Sequence, residues 1–132
     1  MDPIAFNAYA TGMIEASLNL LIVEDEPLIA MMLADMVEVL GHRLVGTAET
    51  IKAAHGLIDA GGFNVAILDV HLGASPIWPV ADRLAESGVP FVLATGAAPD
   101  ELPDRHRNVP ILLKPYSLNG VEKALERFAA GG

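Results

Sequence analysis

Four short apolar runs, each closed by polar residues, constrain this chain more than anything else in it. The runs are residues 20–23, 65–68, 91–94 and 111–113, and they are followed by Glu24 with Asp25, by Asp69, by Thr95 and by Lys114. Apolar runs of this length, bounded by Gly, Pro and polar clusters, read as buried strands. Residues 43–48 alternate and supply a further strand. Segments of helical periodicity lie between the strands. The first spans residues 27–40 and opens on Pro27, whose missing N–H would be unpaired in a first helical turn anyway. Asp35 and Glu38 mark its wet face, and Gly41 ends it. Thr50 suits the N-cap of a helix carrying Ile51, Ala54, Leu57 and Ile58 at helical spacing. A third helix is expected from Pro79 to Ser87, with Gly88 behind it. A last one is expected over residues 117–129, with Leu118, Val121, Leu125 and Phe128 forming one stripe. Residues 71–79 read as loop. Residues 97–108 carry two prolines and a run of charges, so they hold at most a short helix and are expected to be mobile before activation. Five strands alternating with helices imply a parallel sheet covered on both faces.

The composition narrows the function. At 132 residues the chain makes one domain, and its hydrophobic share of 52% with only 5% aromatic leaves the core to Ala, Val, Leu, Ile and Met. The formal charge is −9 with no basic stripe, which argues against nucleic acid as a partner. The chain has no cysteine, so disulfides, thiol nucleophiles and Cys-ligated zinc are excluded. No apolar run approaches the roughly 18 residues of a membrane span, and the first 18 lack the pattern of a signal peptide. A cytoplasmic protein without a membrane partner is therefore expected. Residues 1–18 read as a flexible or peripheral leader and 19–130 as the folded domain, with no output domain after it.

Ligand sites in open parallel sheets lie outside the carboxyl ends of the strands. Three carboxylates, a hydroxyl and an ammonium would meet there. Magnesium takes one or two carboxylates plus waters and phosphate oxygens. Asp25 and Asp69 suit direct ligation, Glu24 a contact through water, and the backbone carbonyl of His71 a further contact. Asp69 is the candidate nucleophile, because carboxylates form acyl phosphates. Lys114 suits pairing with phosphate, and Pro115 stiffens the turn after it. Thr95 offers a hydroxyl. Gly96 leaves room for a phosphoryl group and permits unusual backbone angles. Each residue alone has an ordinary reading: an acidic first helical turn, an Asp capping a turn, a surface Lys, a Thr ending a strand. Their joint occurrence carries the weight. The His71 side chain either adjusts water access to the site or is a plain loop residue. His42, His55 and His106 are too scattered for a zinc site. Trp78 reads as a packing residue or partner contact, and Met31, Met32 and Met36 as core or partner-facing positions of the first helix.

The ordered motifs Leu21-Ile22-Val23-Glu24-Asp25-Glu26-Pro27, Leu68-Asp69-Val70-His71-Leu72-Gly73, Ala94-Thr95-Gly96 and Leu113-Lys114-Pro115 closely resemble the receiver domain of bacterial two-component response regulators. The resemblance implies a flavodoxin-like (CheY-like) α/β fold, a five-stranded parallel sheet of order 2-1-3-4-5 with helices on both faces. It also implies that Asp69 accepts a phosphoryl group, with Mg2+ as cofactor, from a sensor histidine kinase or phosphotransfer protein. Thr95 and Lys114 would contact the phosphoryl oxygens. Such a protein is no enzyme beyond its own phosphotransfer and autodephosphorylation. One position departs from the family: Ile111 stands where most receivers carry a switch aromatic, so the usual Thr/Tyr rotation cannot operate. The stretch Pro90-Phe91-Val92-Leu93-Ala94-Thr95-Gly96-Ala97-Ala98 is instead similar to the FATGUY subgroup, with Leu93 and Ala98 replacing its Phe and Tyr. That likeness implies an alphaproteobacterial setting, general stress signalling and HWE-type kinases. A monomer or weak dimer is expected, signalling by docking, phosphorelay or phosphate draining. The alternative is a docking module that works without phosphorylation because its switch is degenerate. A haloacid-type phosphatase needs a second Asp where His71 stands, and a flavin binder needs a Ser/Thr/Gly cradle that does not follow the first strand.

Overall fold

The computed structural model describes residues 17–96 and 102–129. Strands β1 (Asn19–Val23), β2 (Arg43–Ala48), β3 (Val65–Asp69), β4 (Phe91–Thr95) and β5 (Ile111–Leu113) form one sheet of order β2-β1-β3-β4-β5. Every pairing in it is parallel. Helices α1 (Pro27–Val39), α2 (Ile51–Ala60), α3 (Trp78–Glu86) and α4 (Leu118–Ala129) cover its two faces. This is the CheY-like flavodoxin fold expected from the sequence. No helix among the described residues is long and apolar enough to cross a membrane.

The apolar runs are unbroken because alternate residues serve different cores. Leu20 and Ile22 join Leu33 and Val37 of α1 and Val121, Ala124 and Leu125 of α4. Leu21 and Val23 join Ala54 of α2 and Val80, Ala81 and Leu84 of α3. A strand sandwiched this way has no wet face to spend on polar residues. β2 and β5 lie at the two sheet edges, and both are incompletely buried, β2 alternating between exposed and half-buried positions up to Ala48. Thr50 caps α2 as expected, its Oγ accepting from the Ala53 N–H at 3.0 Å.

Several boundaries differ from the sequence expectation. The folded unit already includes Ser17 and Leu18: Leu18 is buried, its N–H donates to His42 Nδ1 at 3.1 Å, and its carbonyl accepts from Arg43. The remainder of the expected leader, residues 1–16, lies outside the described residues, as do 97–101 and 130–132. Residues 71–79 are not plain loop. A two-residue antiparallel ladder pairs His71–Leu72 with Ser75–Pro76, and α3 starts at Trp78 with Pro79 in its first turn. Leu118 falls off the apolar stripe of α4 and is 42% exposed. It is the first residue of a helix capped by Ser117, whose Oγ accepts from the Gly120 N–H.

Beyond the undescribed residues 97–101, the chain is anchored by a 3-10 turn at Asp104–His106. His106 is buried, stacks on Trp78 with ring centroids 5.8 Å apart, and sets its Nε2 2.7 Å from Asp82 Oδ1. Arg105 donates to both carboxylate oxygens of Asp82, at 2.8 and 3.1 Å. Trp78 is thus a packing residue.

Leu84→Ala, at a fully buried position of α3, is expected to cost about 2–5 kcal/mol in urea unfolding. Leu28→Ala, 77% exposed on α1, is expected to change stability by less than about 0.5 kcal/mol.

Candidate functional site

The sheet delivers its acidic residues to one edge. β1 ends immediately before Glu24 and Asp25, and Asp69 is the last residue of β3 beside it. Oxygens of Glu24, Asp25 and Asp69 lie within 4.8 Å of one another. The acidic triplet is not a first helical turn: α1 begins at Pro27, with Glu26 at its N-cap and no acidic residue in its first turn. The carboxylates therefore face the sheet edge rather than serve the helix dipole.

Each is held by a backbone donor. Gly73 N–H donates to Asp25 Oδ2 at 2.9 Å. Gly73 sits at the turn of the short ladder with a φ of +61°, which favours glycine there. His71 N–H donates to Asp69 Oδ1 at 3.2 Å, which sets the His71 backbone beside this carboxylate while its side chain is exposed. Glu26 N–H donates to Glu24 Oε2 at 3.2 Å.

The cation of the site comes from β5. Lys114 Nζ lies 3.1 Å from Asp69 Oδ2 and 3.6 Å from Glu24 Oε1. Lys114 N–H donates to the Thr95 carbonyl at 3.1 Å, which fixes the ends of β4 and β5 together. Thr95 is buried at the end of β4, and Asp69 pairs with its neighbour Ala94. Gly96 is not among the glycines with positive φ, and a Cβ there would meet nothing within 4 Å. The unusual backbone angles anticipated for Gly96 are not adopted, and the described residues leave the space beside it open. The Lys114–Pro115 peptide is cis. Ile111 pairs with Leu93, and its side chain packs against the core on the α2–α3 face.

Sequence reasoning missed Tyr116. Its ring is buried, and its hydroxyl donates to Glu24 Oε1 at 3.3 Å. Nothing in the spacing marks it, because the contact joins residues 92 apart in the chain. The remaining histidines have partners away from the site: Leu18 for His42, Arg83 for His55, Asp82 for His106.

The charges interact strongly. Burial, reinforced by the nearby Asp69 charge, raises Glu24 to a pKa of about 7 against the opposing Glu26 N–H and Lys114. For Lys114, burial opposes the charged form, but the hydrogen bond and charge of Asp69 and the charge of Glu24 outweigh it and hold the pKa up. Burial, then the charges of Glu24 and Asp69, push the Tyr116 phenol far up, so it remains a donor. Three hard carboxylate donors around one point fit a divalent cation such as magnesium, which would relieve this crowding.

Solved structures of other proteins share this fold. SdrG from Sphingomonas melonis Fr1 superposes with a TM-score of 0.75 at 47% identity, over 88% of this chain and 98% of that one. A BeF3-activated conformation of SdrG gives a TM-score of 0.74. The receiver domain of the PhyR response regulator of Erythrobacter litoralis gives a TM-score of 0.74 at 34% identity, over 89% of this chain and 92% of that one. This chain belongs to the response-regulator receiver domains. No protein-family model matches it. The regulator PhyR of Methylorubrum extorquens is 33% identical over 114 residues, 83% of this chain and 42% of PhyR. The receiver chain spans about half the length of the curated relatives it matches.

The raised pKa of Glu24 makes the cation-free receiver less stable as pH rises. The folded state holds a proton that the unfolded state releases, so this contribution to stability is fully present below the ordinary glutamate value of 4.5 and is lost as pH rises through about 7. Urea midpoints measured across that range are expected to fall more steeply for the wild type than for Glu24→Gln. Saturating magnesium is expected to reduce the difference.

Proposed function

We propose that this receiver accepts a phosphoryl group on Asp69 from a phosphohistidine of a sensor histidine kinase or phosphotransfer protein. The observation that supports it best is the Lys114 ammonium 3.1 Å from Asp69 Oδ2, beside carboxylates grouped within 4.8 Å. An Asp69 oxygen attacks phosphorus, the O–P bond forms, the P–N bond of the donor breaks, and the imidazole leaves with its electron pair. Asp25, Asp69 and the His71 carbonyl would hold magnesium, with Glu24 acting through water. Bound magnesium supplies neutralisation of the carboxylates and of the phosphoryl oxygens. Lys114 takes up phosphoryl charge as it leaves Asp69, the Thr95 hydroxyl donates to a phosphoryl oxygen, and open space at Gly96 admits the group. The BeF3-activated conformation of SdrG supports this chemistry, since beryllium fluoride mimics a phosphoryl group on a carboxylate.

In this reading the chain is a signalling phosphoacceptor, not a turnover enzyme. It acts through docking, phosphorelay or phosphate draining, as a member of the FATGUY subgroup with HWE-type kinases as donors. PhyR structures include a stress response regulator and, in Bartonella quintana, an anti-anti-sigma factor, which supports a stress-signalling setting. The half-buried Ile111 favours one second reading, a docking module whose switch no longer responds to phosphate. Incubation with a radiolabelled histidine kinase separates the two. Magnesium-dependent label on the wild type and none on folded Asp69→Asn is expected. Label on Asp69→Asn would move the phosphoacceptor elsewhere, and an unlabelled wild type that binds magnesium would favour the docking module.

A further inference from the structure

Glu24 is the most enclosed carboxylate of the site, 1% exposed, and both its oxygens are engaged by protein donors. Oε2 takes the Glu26 N–H, while Oε1 faces the Tyr116 hydroxyl at 3.3 Å and Lys114 at 3.6 Å. Lys114 is the weaker holder, because it stands closer to Asp69. On the reading above it turns to the phosphoryl group when one arrives. The Tyr116 hydroxyl and the Glu26 N–H then remain as the groups that fix the Glu24 carboxylate. The Tyr116 ring belongs to the core beneath α1 and α4, a task phenylalanine would serve equally well. Its hydroxyl adds only the bond to Glu24.

We propose that the Tyr116 hydroxyl is a positioning group for the cation site, holding the Glu24 carboxylate in the orientation that the water shell of magnesium requires. The inference rests on the receiver reading and extends it by one residue outside the matched motifs. Groups that orient the direct ligands of a metal typically govern affinity by 10–100-fold, and because Glu24 acts through water the lower end of that range applies to Tyr116.

The test is calorimetric titration of magnesium into wild type, Tyr116→Phe, Glu24→Gln and the double variant, with thermal unfolding confirming that each is folded. Tyr116→Phe is expected to weaken magnesium binding by about tenfold. The magnesium needed for half-maximal labelling of Asp69 should rise by the same factor. In the Glu24→Gln background the same change is expected to alter affinity less than about twofold, because the two residues act as one unit. Unchanged or tighter binding by Tyr116→Phe would overturn the inference, as would an equal loss in both backgrounds, the mark of a packing role. A wild type that binds no magnesium would overturn the phosphoacceptor reading itself.

Discussion

Three carboxylates cannot share one sheet edge without compensation, and Lys114 provides it. Its ammonium bridges Asp69 and Glu24, linking the end of β5 to the ends of β3 and β1. Charges at this separation in a partly desolvated site interact with several times their strength in water. The arrangement compensates incompletely, since burial still pulls Glu24 toward its protonated form. Residual negative charge of this kind is what a divalent cation and then a phosphoryl group can exploit. Strand order matters for the same reason. Placing β1 and β3 side by side is what brings Asp25 to Asp69, and the turn at Gly73 locks that meeting with a backbone donor.

The strands and the acidic edge were legible in the sequence because buried parallel strands read as continuous apolar runs, and each motif sits where its run stops. The strand ends of β1 and β5 and the capping of α2 by Thr50 follow from local rules. What escaped depends on distance along the chain. The Tyr116–Glu24 contact and the grip of Asp82 on the 3-10 turn join residues that no local pattern connects. The ladder at His71–Leu72 escaped because two-residue strands have no periodicity to detect. Leu118 misled because helical spacing does not say whether the first residue of a helix is covered. At Gly96 a permissive residue was credited with backbone freedom, whereas its backbone is ordinary and the space beside it is open among the described residues.

The position of Ile111 also changes meaning in three dimensions. As sequence it is a missing aromatic. In the fold it is an aliphatic side chain packed on the α2–α3 core, so β5 has no ring to swing between inside and outside. The His106 anchor lies on that same face: its ring fills the space between Trp78 and Phe91, with centroids 5.8 and 5.5 Å away. Any movement near Thr95 therefore meets a fixed point a few residues before β5.

The outward side of α1 has a consequence of a different kind. Leu28, Met31, Met32 and Val39 stand exposed there on a chain of charge −9. Methionine thioethers are flexible and polarisable, so such a stripe adapts to many apolar surfaces, including its own copy. Mutual repulsion between equally charged molecules keeps copies apart at low ionic strength, and salt screens it over about 8–10 Å. Salt that screens this repulsion would leave the exposed apolar stripe of α1 as the dominant feature two copies present to each other.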